Sequence, residues 1–282
     1  MNNKKDLAIA YRIYPGVSKT PPVFHDDKYK LSELCLYSFK KALGDLNVKV
    51  FVLLDNCPDN YIDLFKKYFT AEELEIIRYN GIGNAATFSE QIRILEEQNY
   101  SEYIYFAEDD YFYLDNGIEK IHRFIVNNND VSFVSTYYHS DYDTMSLHKE
   151  FKSQYLNFEG INFKSVCSTT LTFLTTKTFL SETKNVFLTY LKKNTDAGIW
   201  LSLTGHKVKN PLNIIKYLFT NKLWFKILLK SWIFTGKQIF FGKKRNLYVP
   251  EISLSTHMDS KCLAPGLDWK KIFSDVQEKI FK

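Results

Sequence analysis

Three consecutive carboxylates, Glu108, Asp109 and Asp110, follow the apolar run Tyr103-Ile-Tyr-Phe-Ala and precede Tyr111-Phe-Tyr113. An apolar strand ending this way crowds like charge where a sheet gives way to solvent, which is unfavourable unless something positive is bound. Alternation along an extended chain sends Glu108 and Asp110 to one side and Asp109 to the other. Two oxygen ligands on one side suit a hard divalent ion, Mg²⁺ or Mn²⁺, which commonly bridges to substrate phosphates. The bland reading is an acidic turn, solvated or paired to lysines. Two other apolar runs end in polar chemistry. Val50-Phe-Val-Leu-Leu54 runs into Asp55, and Leu7–Ala10 runs into Tyr11-Arg12-Ile-Tyr14. A stacking ring, a hydrogen-bonding carboxylate and a metal site together suit a base, a ribose and a diphosphate. In open α/β sheets ligands gather beyond the carboxyl ends of the strands.

Those residues need a scaffold, and the first half supplies one. Apolar runs at Leu7–Tyr11, Lys49–Leu54, Tyr103–Phe106 and Val131–Val134 read as buried strands of a mostly parallel sheet. Between them lie helical patterns: Leu31 to Ala42, with Ser32 as a nearby cap, then Asn60–Phe69 and Ala85–Gln98. Strand–helix repetition on this scale predicts an α/β fold. Residues 136–205 read as mixed α+β. They include a period-two strand at Thr169–Thr175 and a helix at Asp196–Thr204, begun by Thr195 or Asp196 and closed by Gly205. Gly81 and Gly83 make a turn. They lack the third glycine of a dinucleotide fingerprint, which disfavours a Rossmann dehydrogenase.

The order of these motifs is informative: Tyr11-Arg-Ile-Tyr-Pro15, Leu53-Leu-Asp-Asn-Cys-Pro-Asp59, the Asn80–Asn84 turn, a helix, then Tyr105-Phe-Ala-Glu-Asp-Asp110. It resembles the nucleotide-sugar half of a GT-A-fold glycosyltransferase, close to glycosyltransferase family 2, over about the first 135 residues. The resemblance implies a GT-A-like (Rossmann-like) sheet flanked by helices. It implies donor contacts from Tyr11, Arg12, Asp55, Asn84 and Asp109. It also implies Mn²⁺ or Mg²⁺ held by Glu108, Asp110 and the late His257, with Asp110 as the leading ligand. Asp196 matches the inverting base, a carboxylate within reach of the acceptor hydroxyl; as a helix cap it needs no such role. Trp200 reads as a sugar-stacking or a core residue. Where the family carries an Arg-Asn pair, this chain has Ser89-Glu90-Gln91. The implied activity is metal-dependent hexosyl transfer from a nucleotide-sugar, a UDP-sugar foremost, to a glycan acceptor such as a lipid-linked surface polysaccharide. Two alternatives stand beside it. One is a sugar nucleotidyltransferase, with Tyr14–Lys19 as a thin phosphate loop. The other is a non-catalytic membrane-surface module.

Composition agrees with a folded globular protein: of 282 residues, 45% are hydrophobic and 24% charged, which excludes disorder and collagen-like repetition. Cys35, Cys57, Cys167 and Cys262 have no paired spacing, which argues against a zinc ribbon and for reduced thiols. No long apolar leader and no uncharged run of about 18 residues occurs, so a cytoplasmic protein is expected. The chain divides into a donor half (1–135), an acceptor half (136–205), a basic aromatic region (206–250) and a C-terminal segment (251–282) returning to the site. From Ala197 to Pro250 there is no Asp or Glu but ten Lys and Arg, so the +5 net charge averages two unlike parts. Lys222, Lys226 and Lys230 line one helical face among aromatics. That pattern fits a helix lying peripherally on an anionic inner membrane face, or a core helix pair with lysines toward water. A nucleic-acid partner is disfavoured by the acidic clusters elsewhere.

Overall fold

The computed structural model describes residues 4–17 and 20–281. Its first half is β1 (Leu7–Ile13), α1 (Lys28–Ala42), β2 (Val48–Asp55), α2 (Asn60–Tyr68), β3 (Leu74–Tyr79), α3 (Asn84–Glu97), β4 (Tyr103–Glu108), β5 (Tyr111–Tyr113) and α4 (Gly117–Val126). There follow β6 (Phe133–Val134), α5 (Asp141–Thr144), α6 (Ser146–Lys149), β7 (Tyr155–Phe158), β8 (Ile161–Ser165), β9 (Phe173–Thr176) and α7 (Lys177–Phe187). After a 3-10 turn at Leu188–Lys192 come α8 (Asp196–Thr204), α9 (Pro211–Thr220), α10 (Lys222–Phe241), β10 (Leu247–Pro250), β11 (Ser255–His257) and α11 (Trp269–Ile280).

Among the described residues nine strands form one mixed sheet in the order β3-β2-β1-β4-β9-β6-β10-β8-β7. The block β3-β2-β1-β4 is parallel, as the apolar runs of β1, β2 and β4 predict, with β3 an addition to them; β9 then runs antiparallel to β4 and β6. Every residue of β1 and β2 is buried, because helices cover both faces. Alternate residues of β1 feed two cores. Leu7, Ile9, Tyr11 and Ile13 pack toward α1 and α2, while Ala8 and Ala10 face α3. The register sets Arg12 beside Glu108 and Ile13 beside Leu54, so the carboxyl ends of β1, β2 and β4 share one edge. This single sheet runs through both the 1–135 and 136–205 segments.

Several expectations shift by a few residues. The cap of α1 is Asp27, whose side chain accepts from the Lys30 N–H at 3.0 Å, and not Ser32, which is buried within the helix. In the Thr169–Thr175 run only Phe173 onward is strand; Thr170 and Leu171 form a loop. Trp200 is a core residue, edge-on to Phe133, Phe173 and Phe187, with its indole N–H donated to Thr170 O at 3.0 Å. Helix α8 starts and stops as expected: Thr195 accepts from the Gly198 N–H, and Gly205 closes the helix at φ 69°.

Where the resemblance leads one to expect an Arg-Asn pair, Gln91 is fully buried. It donates to Ala10 O at 2.7 Å and Ala107 O at 2.9 Å, fastening α3 to the neighbouring strands β1 and β4 just short of their ends. Replacing it leaves two buried carbonyls short of a partner. Gln91→Leu should cost about 2 kcal/mol, read as a fall in the urea midpoint with unchanged slope; a midpoint equal to wild type would refute this fastening role.

Candidate active site

A cavity of about 620 Å³ opens at the shared edge of β1, β2 and β4. Its walls include Arg12, Asp55, Asn84, Glu108, Asp109, Asp110, Asp196 and His257, residues from both halves of the chain. Tyr11 is the correction. It is 1% exposed and packs edge-on against Phe39 and Phe65, beneath the cavity and not in it. The ring at the mouth is Tyr14, one residue beyond the end of β1 and 54% exposed. Ser18 and Lys19, the end of the thin phosphate loop, lie outside the described residues.

The three adjacent carboxylates each meet a different basic side chain. Glu108 is ion-paired with Arg12 and accepts from the Thr172 hydroxyl at 2.7 Å, so both its oxygens are engaged by protein. Arg12 is equally committed: it also donates to Asn84 O at 2.8 Å and to the Asn84 side chain, and lies over the Phe88 ring. Asp109 pairs with Lys28 at 2.6 Å and accepts from the Tyr14 N–H at 3.4 Å. Burial pushes the Asp109 carboxyl up, against the pull of Lys28. Burial also opposes charge on Lys28, but Asp109 outweighs it and leaves the lysine pKa raised. Asp110 Oδ2 lies 3.2 Å from His257 Nε2. The expected grouping of Glu108 with Asp110 is therefore split between two partners. Alternation fails because β4 ends at Glu108 and the chain turns.

His257 arrives by a two-stranded pairing in which β11 runs antiparallel to β5 and His257 faces Tyr111. Burial works to raise the Asp110 carboxyl, but His257, with Lys28 and Arg12 behind it, holds it down to about 2. It is thus ionised throughout the neutral range. Its second oxygen, Oδ1, is buried with no hydrogen-bond partner among the described residues. A buried carboxylate oxygen without a partner is costly, and a cation is one group that would satisfy it. Among the described residues no three His, Cys, Asp or Glu side chains group closely enough to hold a metal alone. The carboxylate and imidazole of Asp110 and His257 still fit Mn²⁺ or Mg²⁺, which take one or two protein ligands with phosphate and water completing the shell.

Asp55 accepts from the Ile82 and Gly83 N–H groups, both at 2.8 Å, pinning the turn in which Gly81 and Gly83 adopt φ 74° and 84°. Each oxygen keeps a further lone pair. Asn84 follows that turn as the first residue of α3 and donates to the Tyr190 hydroxyl at 3.2 Å. At the start of α8 the capping is done by Thr195, so Asp196 is left facing the cavity, where it accepts from the Ala197 N–H at 2.8 Å and from its own backbone N–H. Asp196 is exposed to solvent at the cavity wall, yet the protein around it displaces enough water to raise its pKa, with the charge of Glu108 adding to the rise and the backbone amides of Ala197 and Asp196 opposing it. Lys28, Thr170 and Tyr190 also line the cavity. Of these, only Lys28 has a sequence signal, a lysine at the first turn of a helix that follows Asp26-Asp27.

No family model and no curated protein sequence matches the chain. Solved structures similar to it include S. aureus TarS in complex with UDP-GlcNAc, at 13% identity and a TM-score of 0.43, covering 64% of this chain. The likeness spans about half (47%) of that TarS chain. Others are the mannosyltransferase PcManGT from Pyrobaculum calidifontis with GDP-Man and Mn²⁺ (10% identity, 82% and 70% of the two chains, TM-score 0.43) and the 4-diphosphocytidyl-2C-methyl-D-erythritol synthase of Anaerococcus prevotii (10% identity, 98% and 97%, TM-score 0.44).

The Arg12–Glu108 pair carries its own prediction. Both side chains are largely buried, so removing the cation alone strands a carboxylate. Arg12→Met should cost about 3 kcal/mol. Arg12→Met combined with Glu108→Gln should recover part of that loss in a double-mutant cycle of urea midpoints. A double variant less stable than the single one would contradict the pairing.

Proposed function

We propose that the chain is a metal-dependent glycosyltransferase, moving a sugar from a nucleotide-sugar donor, a UDP-sugar first among them, to a hydroxyl of a glycan acceptor. The observation that carries this reading is a division of labour in one cavity. Asp110 presents a buried, unpartnered, ionised oxygen beside His257, while Asp196 presents a carboxylate with a raised pKa that helix capping does not consume. Pairs of carboxylates driven apart in this way separate electrostatic and proton-transfer roles.

In this mechanism Tyr14 and Asp55 line the nucleoside end, with Asp55 using its remaining lone pairs. Asp110 and His257 would hold Mn²⁺ or Mg²⁺, and the bound ion would neutralise the leaving diphosphate. Asp196 accepts the proton of the acceptor hydroxyl. The freed oxygen attacks C1 of the sugar, and the bond from C1 to the diphosphate oxygen breaks with its electron pair leaving on the nucleotide. One displacement inverts the anomeric centre. Arg12 and Lys28 contribute positive potential while remaining tied to Glu108 and Asp109.

A panel of nucleotide-sugars with Mn²⁺, assayed for donor hydrolysis and transfer, tests the reading. At least one sugar donor should turn over. Asp196→Asn should cut turnover on the order of 100-fold or more with UDP affinity unchanged. The acid limb of turnover should lie above the ordinary carboxylate range of about 4, because the base works only when deprotonated and the surrounding protein, with Glu108, raises its pKa. Equal losses of UDP binding and turnover would make Asp196 structural. Turnover of nucleoside triphosphate with sugar phosphate in place of a nucleotide-sugar would make the chain a nucleotidyltransferase.

A further inference from the structure

Helices α9 and α10 form a layer with two unlike faces. The inner face packs on α8 through Trp224, Ile227, Leu228 and Ile239, with the Ser231 hydroxyl donating to Gly198 O at 3.2 Å and Thr235 in hydrogen bond with Ser202 at 2.6 Å. This settles half of the basic aromatic region as core. The outer face is not covered. Leu212, Leu223 and Ile233 are each more than 60% exposed, and Phe219 and Phe241 reach 81% and 86%. Monomeric proteins seldom leave so many large apolar side chains together in water without a partner for them.

We propose that this outer face docks on an anionic lipid bilayer. The spacing in α10 puts Leu229 and Ile233 one turn apart, and Lys226 and Lys230 advance beside them with the same step. Apolar side chains with flanking lysines are what the boundary between acyl chains and headgroups accepts. Lys216, Lys222, Lys226 and Lys237 are exposed, and none is ion-paired with a carboxylate among the described residues. No acid occurs between residues 197 and 250 to offset them. Charge also selects the occupant. A second copy meeting this face about a two-fold axis would set lysines against lysines. Phe219, Phe240 and Phe241 present rings, but six of the nine exposed large apolar side chains of α9 and α10 are aliphatic and give a nucleic-acid base nothing to stack on, which favours lipid. Among the described residues no helix is long and apolar enough to cross a membrane, so the contact is peripheral.

The face lies next to the cavity without being part of it. Lys230 donates to Lys193 O at 2.8 Å, immediately before α8 and Asp196. The inference does not depend on the proposed chemistry, and its readout is lipid binding alone, so either can fail without the other.

The test is sedimentation of the full chain with vesicles of phosphatidylcholine alone or with roughly one third phosphatidylglycerol. The chain should pellet with the anionic vesicles, and high salt should release it as the screening length shortens from about 10 Å at 0.1 M to about 3 Å at 1 M. Neutralising Lys222, Lys226 and Lys237 together to Gln should weaken partitioning on the order of 100-fold, near fivefold for each charge. Phe219→Ser with Phe241→Ser should weaken it about tenfold or more. All five side chains are exposed, and circular dichroism matching wild type checks that the fold persists. Failure to bind anionic vesicles, equal binding to neutral ones, or unchanged binding by the lysine variant would overturn the proposal. So would a stable dimer that the phenylalanine variant abolishes.

Discussion

Three neighbouring carboxylates at the end of a buried strand must each be held by a partner, and much of the site is arranged around that requirement. The partners come from remote parts of the chain: Arg12 from β1 for Glu108, Lys28 from the first turn of α1 for Asp109, and His257 from β11 for Asp110. The parallel register of β1 with β4 delivers the first, and the short pairing of β5 with β11 delivers the last. Two of the three carboxylates are therefore neutralised by protein alone. Of the six oxygens of these three carboxylates, Asp110 Oδ1 is the one buried without a hydrogen-bond partner among the described residues.

That pairing gives the cavity its electrical character. Arg12 is bound so fully to Glu108, Asn84 and the face of Phe88 that it acts as a fixed post between β1, α3 and β4. Asp55 does the same for the turn before α3. With those groups immobilised, Asp110 and Asp196 differ by environment alone. One is held ionised by His257, Lys28 and Arg12; the other is raised by the protein around it against two backbone amides. Strongly shifted groups in a cleft mark functional sites more often than chance. Here the shifts run in opposite directions within one cavity.

Much of this was readable from residue types and spacing, and the failures have physical causes. Strands β1, β2 and β4 are apolar throughout because helices cover both faces, so their existence is plain. The same lack of alternation hides which face each residue takes, and Tyr11 was assigned to the ligand while it packs under α1 and α2. Glu108 and Asp110 looked like neighbours on one side because the alternation rule was carried past the residue where β4 ends. Strands β5 and β11, three residues each, are too short for any periodic signal, although the family resemblance points to His257 as a late metal-binding histidine. β3 is a half-buried edge strand and lacked the apolar run that marked the others. Thr170 and Tyr190 reach the cavity by tertiary packing, which no local pattern encodes. In the basic region, two readings competed because α10 is apolar on both sides; one side proved to be core and the other is exposed.

Calorimetric titration of UDP into the protein with and without Mn²⁺, for wild type and for Asp110→Asn, addresses the unpartnered oxygen most directly. The expected result is UDP binding that needs Mn²⁺ in wild type and a loss of that metal dependence in Asp110→Asn, whose side chain no longer carries the charge. UDP binding indifferent to metal in wild type, or an equally metal-dependent affinity in the variant, would contradict a cation at Asp110.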